Sequence, residues 1–111
     1  FGVIVLAAMD RQSLIRSRRL LLTVVSRAEN QEMVWDAKRT SVSNKWGRGP
    51  TRVLGVPMHV RIKGNASRVV FALDNTGRRG KRIAGQLGDG GVLGFDVNPA
   101  DAAVWYEIAA D

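Results

Sequence analysis

The chain has no cysteine, so neither a disulfide framework nor a thiolate metal site is available and stability has to come from packing. Histidine occurs once, at His59, which leaves little from which to assemble acid–base chemistry. Long apolar runs are also missing. Residues 1–9 (FGVIVLAAM) stop far short of a membrane span and lack the basic leader and cleavage site of a signal peptide. They read as a strand, and no membrane partner is expected. No stretch has convincing helical periodicity, although residues 98–103 (NPADAA) suit a single turn. Opening in mid-strand at Phe1, the chain reads as a module cut from a longer polypeptide.

What is present is one domain's worth of sequence: 111 residues, 45% apolar, enough for a single modest core. The net charge of +7 raises the question of a polyanionic partner. Its distribution weakens that idea, and nucleic acid is a disfavoured partner. Basic residues cluster at 16–19 (RSRR) and 78–82 (RRGKR), each read as a solvated turn, and otherwise stand singly along strands and loops.

Period-two alternation and turn punctuation dominate. Residues 2–9 form an apolar strand ended by the polar turn 10–13. Residues 20–28 (LLLTVVSRA) put Leu20, Leu22 and Val24 on one face and Leu21, Thr23 and Val25 on the other. A strand apolar on both faces belongs inside a sheet covered on both sides, or it turns one face to another domain. Val56, Met58, Val60 and Ile62 alternate with Pro57, His59, Arg61 and Lys63, which predicts a half-buried strand with a wet face. Residues 68–73 follow, with Val69, Phe71 and Leu73 expected inward. A strand near 81–87 is then expected to form a hairpin with residues 92–97 (VLGFDV) across the glycine-rich connection at 88–91. The last strand, 103–108 (AVWYEI), separates Val104, Tyr106 and Ile108 from Trp105, whose expected place is in core or inter-sheet packing. The fold this predicts is an antiparallel β-sandwich, jelly-roll or immunoglobulin-like, with about seven to nine strands.

No catalytic constellation emerges. His59 sits on a polar strand face with no local support for a Ser-His-Asp arrangement. Gly47-Arg48-Gly49 lacks the Lys-Ser/Thr and the strand-to-helix setting of a phosphate loop, and reads as a turn. Glu29, Glu32 and Asp36 cluster, yet Arg27, Lys38 and Arg39 beside them suggest ion pairs instead of a glycosidase carboxylate pair. The acids are too scattered for calcium, so no metal or other cofactor is expected. Asn65-Ala66-Ser67 matches the glycosylation sequon, a pattern short enough to arise by chance.

Residues 32–50 (EMVWDAKRTSVSNKWGRGP) break the apolar alternation and strand Trp35 and Trp46 in a polar, glycine-bearing loop. Loops on a rigid β scaffold disproportionately carry binding function. An indole face stacks on the C–H patch of a pyranose, and Asp36, Asn44 and Arg48 are placed to hydrogen-bond its hydroxyls. The candidate carbohydrate site is therefore Trp35, Trp46, Asp36, Asn44 and Arg48, with Trp46 the better candidate for exposure.

Residues 20–30 (LLLTVVSRAEN), Met33-Val34-Trp35, 39–50 (RTSVSNKWGRGP), 70–78 (VFALDNTGR) and 104–108 (VWYEI) together resemble the C-terminal all-β domain of large bacterial multidomain glycoside hydrolases. The resemblance runs through most of the chain in order, without any catalytic signature. It implies a noncatalytic accessory module of the carbohydrate-binding-module type, with the chemistry in a separate barrel of the same polypeptide, and a secreted or extracytoplasmic setting. Three readings follow: a carbohydrate-binding module that stacks plant-type polysaccharide on the Trp loop, a structural sandwich that docks on the catalytic barrel, and a basic polyanion or nucleic-acid binder. A former domain interface left open would also let the module self-associate.

Overall fold

The computed structural model describes residues 2–64 and 67–110, so Asn65 and Ala66 of the sequon lie outside the described residues. Among those residues the fold is all-β. Ten strands run in chain order: β1 (Val3–Ala8), β2 (Arg19–Val25), β3 (Ala28–Gln31), β4 (Arg48–Val53), β5 (Met58–Lys63), β6 (Arg68–Leu73), β7 (Arg79–Ile83), β8 (Gly85–Leu87), β9 (Val92–Val97) and β10 (Trp105–Ala110). They form an antiparallel five-stranded sheet ordered β1-β2-β10-β6-β7, a three-stranded sheet ordered β5-β9-β8, and a separate β3-β4 ribbon.

The two larger sheets share one core, which makes the body sandwich-like. Leu20, Leu22 and Val24 of β2, Val70 and Ala72 of β6, and Tyr106 and Ile108 of β10 meet Ile62 of β5 and Leu93, Phe95 and Val97 of β9. As its two apolar faces require, β2 lies inside its sheet, between β1 and β10. On β5 the alternation holds as read, with Ile62 buried and His59, Arg61 and Lys63 exposed.

Tyr106 is wholly buried, and its hydroxyl would be costly without a partner. The Asn98–Ala102 turn supplies one. Asn98 Oδ1 accepts from the Ala100 N–H at 2.9 Å, and Asp101 Oδ2 accepts from the Asn98 N–H at 3.1 Å, a capping box around the 3-10 turn Pro99–Asp101. That positions Asp101 Oδ2 to accept from the Tyr106 hydroxyl at 3.1 Å. At the other end Arg68 is buried and ties down the loop before β2, its Nη2 donating to the carbonyls of Leu14, Ile15 and Ser17.

Four expectations are corrected. In β6 it is Arg68, Val70 and Ala72 that face the core, while Val69, Phe71 and Leu73 lie on the outer face. Residues 69–73 are apolar throughout, so their alternation has no phase to read. Trp105 is not core: it is 36% exposed on the outer face of the same sheet. The segment 81–87 is two strands, β7 and β8, because the chain crosses from one sheet to the other at Ala84. The cluster 78–82 is not a solvated turn but largely β7.

The molecule measures 51 × 27 × 26 Å, with a radius of gyration of 16.7 Å. A compact domain of this size has a radius near ~13 Å. The difference reflects the β3-β4 ribbon, whose strands contact chiefly each other.

Candidate functional site

All five residues of the candidate carbohydrate site belong to this arm. Its strands pair Ala28 with Val53, Glu29 with Arg52, Asn30 with Thr51 and Gln31 with Arg48, with a register shift between Asn30 and Gln31. The connecting loop folds on itself: the Val34 N–H donates to the Lys45 carbonyl at 3.1 Å and the Asp36 N–H to the Ser41 carbonyl at 2.9 Å. Gly47 lets the chain return. Its φ is +73°, and a Cβ there would lie 2.0 Å from the Gln31 carbonyl oxygen, so only glycine fits.

Trp46 is 63% exposed beside this glycine, with its carbonyl held by Asn30 Nδ2 at 3.2 Å. Trp35 is half-buried. The Arg39 guanidinium lies 5.2 Å from its ring centre, and Glu29 accepts a hydrogen bond from the same arginine. Two clefts, of about 470 and 220 Å³, share Trp35 as a wall. The polar members of the set are mostly engaged elsewhere. Asp36 accepts from Thr40 through both its N–H and its hydroxyl, each at 2.8 Å, and these bonds, backbone first, hold its carboxyl below the usual carboxylate range. Arg48 pairs with Glu32 at 3.2 Å. Asn44 is exposed. The loop brings the five residues into one arm, but with Trp35 covered by Arg39 and with Asp36 and Arg48 paired, Trp46 is the open aromatic surface. Of the ion pairs expected for the local acids, Glu29 with Arg39 is present, whereas Glu32 pairs with Arg48 and not with Arg27, Lys38 or Arg39.

A second surface lies on the outer face of the five-stranded sheet. Register aligns Val3 with Val25, then Val5, Thr23 and Trp105 in a row, then Ala7, Leu21, Glu107 and Phe71. Glu107 is 5% exposed at the centre of this largely apolar grid. Arg19 Nε donates to its Oε2 at 2.8 Å and Arg79 Nε donates to its Oε1, while the Arg79 guanidinium stacks 4.6 Å from the Phe71 ring centre. Burial pushes the Glu107 carboxyl up, but the bonds from Arg19 and Arg79 outweigh it and hold it below the usual glutamate range. Sequence reading passed over this triad; the available signal was a glutamate in the middle of an apolar strand, which needs a cation partner.

His59 does find a carboxylate. Its Nδ1 lies 2.7 Å from Asp96 Oδ1 across the β5-β9 pair, on the exposed face of the three-stranded sheet. Among the described residues no hydroxyl hydrogen-bonds the imidazole, and no cluster of three or more metal-ligating side chains forms. In the 16–19 cluster, Ser17 is buried and its hydroxyl bonds to Asp10 at 2.8 Å, while Asp10 also accepts from the Arg18 N–H at 2.7 Å. No helix among the described residues is long and apolar enough to cross a membrane. Comparison with known protein families, with curated proteins and with solved structures finds no match.

Proposed function

We propose that this chain is a noncatalytic accessory β-sandwich that docks on a catalytic glycoside hydrolase barrel in the same polypeptide, through β1 and the outer face of the five-stranded sheet. One observation carries the reading: the first half of β1, an edge strand, is exposed on both faces, with Val3, Ile4 and Val5 at 46%, 59% and 48%, while Leu6 and Ala8 further along pack on the core. Val3 and Val5 continue into the grid of Val25, Thr23 and Trp105. A contiguous apolar patch of this kind marks an interaction surface, and burial gains roughly 25 cal/mol per Å². The sequence resemblance supplies the kind of partner.

The test compares Val5→Lys in the isolated chain and in the full-length product of the gene. In the isolated chain the change should leave the unfolding midpoint nearly unaltered, because Val5 faces solvent. In the full-length protein it should free the module, seen as faster amide exchange along β1 and easier proteolytic release. Equal exchange of β1 in both contexts before mutation would sink the docking role.

Polysaccharide binding is the second reading, favoured by the exposure of Trp46 alone. A single open indole at the end of a projecting arm gives contact area to a sugar ring. The engagement of Asp36 and Arg48 with other groups of the arm is what ranks it second.

A further inference from the structure

The outer face is not uniformly apolar: Arg82 pairs with Phe71 toward its β7 edge, and the charged cluster at its centre is built in an unusual way. Arg19 and Arg79 reach Glu107 from opposite sides, each through Nε. Among the described residues neither uses its terminal Nη groups in a hydrogen bond, and the two side chains remain 61% and 53% exposed. Two guanidiniums on one carboxylate leave a net charge of +1 with open donors pointing outward. Against this triad lies a cleft of about 200 Å³ walled by Met9, Leu21, Leu73, Trp105, Arg19 and Glu107. An apolar surface has no need of a second cation. One bidentate arginine would suffice to pair both carboxylate oxygens; here Arg19 and Arg79 take one oxygen each, which leaves the face positively charged where a docking contact would otherwise exclude charge.

We infer that this triad and its cleft form the anchor of the docking face, taking from the partner domain an aspartate or glutamate side chain flanked by an apolar one. The carboxylate seats on the free Nη groups of Arg19 and Arg79, and the apolar neighbour fills the cleft against Trp105. The inference rests on the docking reading and names the chemistry of its contact. Phe71 holds Arg79 in place through the ring stack, so the site is largely formed before the partner arrives.

The probe is 3-phenylpropionate, a carboxylate joined to an apolar group, titrated into the chain and followed by chemical shifts of the Trp105 indole and the Leu21 methyls. It should saturate at a concentration roughly tenfold below that needed for 3-phenylpropanol or acetate. Arg79→Gln and Arg19→Gln, both at exposed side chains, should each weaken it toward the alcohol. Glu107→Gln removes the competing carboxylate and should tighten it, whereas a purely structural triad would give the opposite or no change. Equal binding of acid and alcohol, shifts confined to the arm, or insensitivity to both arginine variants overturns the inference. Loss of the anchor with β1 still protected in the full-length protein leaves the docking reading standing; probe binding with β1 unprotected leaves the carboxylate site and removes the docking reading.

Discussion

Trp105 and Tyr106 are neighbours on β10 and live in opposite environments: Tyr106 is wholly buried in the core and hydrogen-bonded to Asp101, and Trp105 is 36% exposed on the outer face. Tyr106→Ala should therefore cost about 3–5 kcal/mol of unfolding free energy, and Tyr106→Phe only ~0.5–1.5 kcal/mol for the lost hydrogen bond. Trp105→Ala should fall well below the tyrosine truncation. Urea unfolding of the three variants checks the order, and an equal loss at Trp105 would put that ring back in the core.

Alkaline unfolding should report the same tyrosine. Burial first, and the Asp101 carboxylate second, raise the Tyr106 phenol far above its ordinary value. A folded pKa above the unfolded one gives stability that is complete below the unfolded value, near ~10, and lost as pH climbs beyond it. Tyr106→Phe should flatten that alkaline decline, as measured by midpoints from neutral pH upward.

Acid should act through Glu107. Its folded pKa is lowered, so its contribution is present above the ordinary glutamate range and disappears as pH falls through the folded value. Glu107→Gln should be less stable than the parent at neutral pH, and the gap should narrow toward low pH. A constant gap would mean that the carboxylate gains nothing from Arg19 and Arg79.

Arg68 carries a buried guanidinium whose Nε and Nη1 have no partner among the described residues, while Nη2 holds the 14–17 loop. Arg68→Met removes both the unpaired donors and the loop tether, two effects of opposite sign. Global stability should change by less than ~1.5 kcal/mol, while the amides of Arg16 and Ser17 exchange faster. Exchange that stays slow would show that Asp10 and Ser13 hold the loop unaided.

On the arm, Trp46→Ala should leave the unfolding midpoint unchanged, because the ring packs on little. If the polysaccharide reading holds, it should also abolish retardation in gels containing soluble polysaccharide. Retardation that survives the substitution removes Trp46 from the site. Gly47→Ala, by contrast, should disorder the arm's turn, visible as accelerated exchange at Val34 and Lys45, without unfolding the sandwich.

The sequence made the sandwich readable wherever one face of a strand was polar. On β5 the alternation of Met58, Val60 and Ile62 with His59 and Arg61 leaves one possible phase. On β6 and β10 both faces carry apolar residues, and the inward set could not be told from the outward one; hence the reversal of Phe71 and Val70, and the exposure of Trp105. The β4 strand escaped notice because every residue in it is exposed and it contains Gly49 and Pro50, which read as a loop. Trp46 was rightly singled out for exposure, since its neighbours Lys45 and Gly47 offer nothing to bury it. The Arg19–Glu107–Arg79 triad joins residues from three strands far apart in sequence: Glu107 in its apolar strand signals the need for a cation, but no local pattern says which arginines supply it.

β10 is the tenth strand in sequence, yet it occupies the middle of the five-stranded sheet, between β2 and β6. Arg19 pairs with Ala109, so residues near opposite ends of the chain are neighbours. During synthesis, then, β1 and β2 emerge as a hairpin whose inner partner does not yet exist, and the core cannot close until nearly the whole chain has left the ribosome. A nascent chain halted anywhere before Trp105 holds Leu20, Leu22 and Val70 open to water, so the pairings that close this core are the long-range ones, a topology that slows folding.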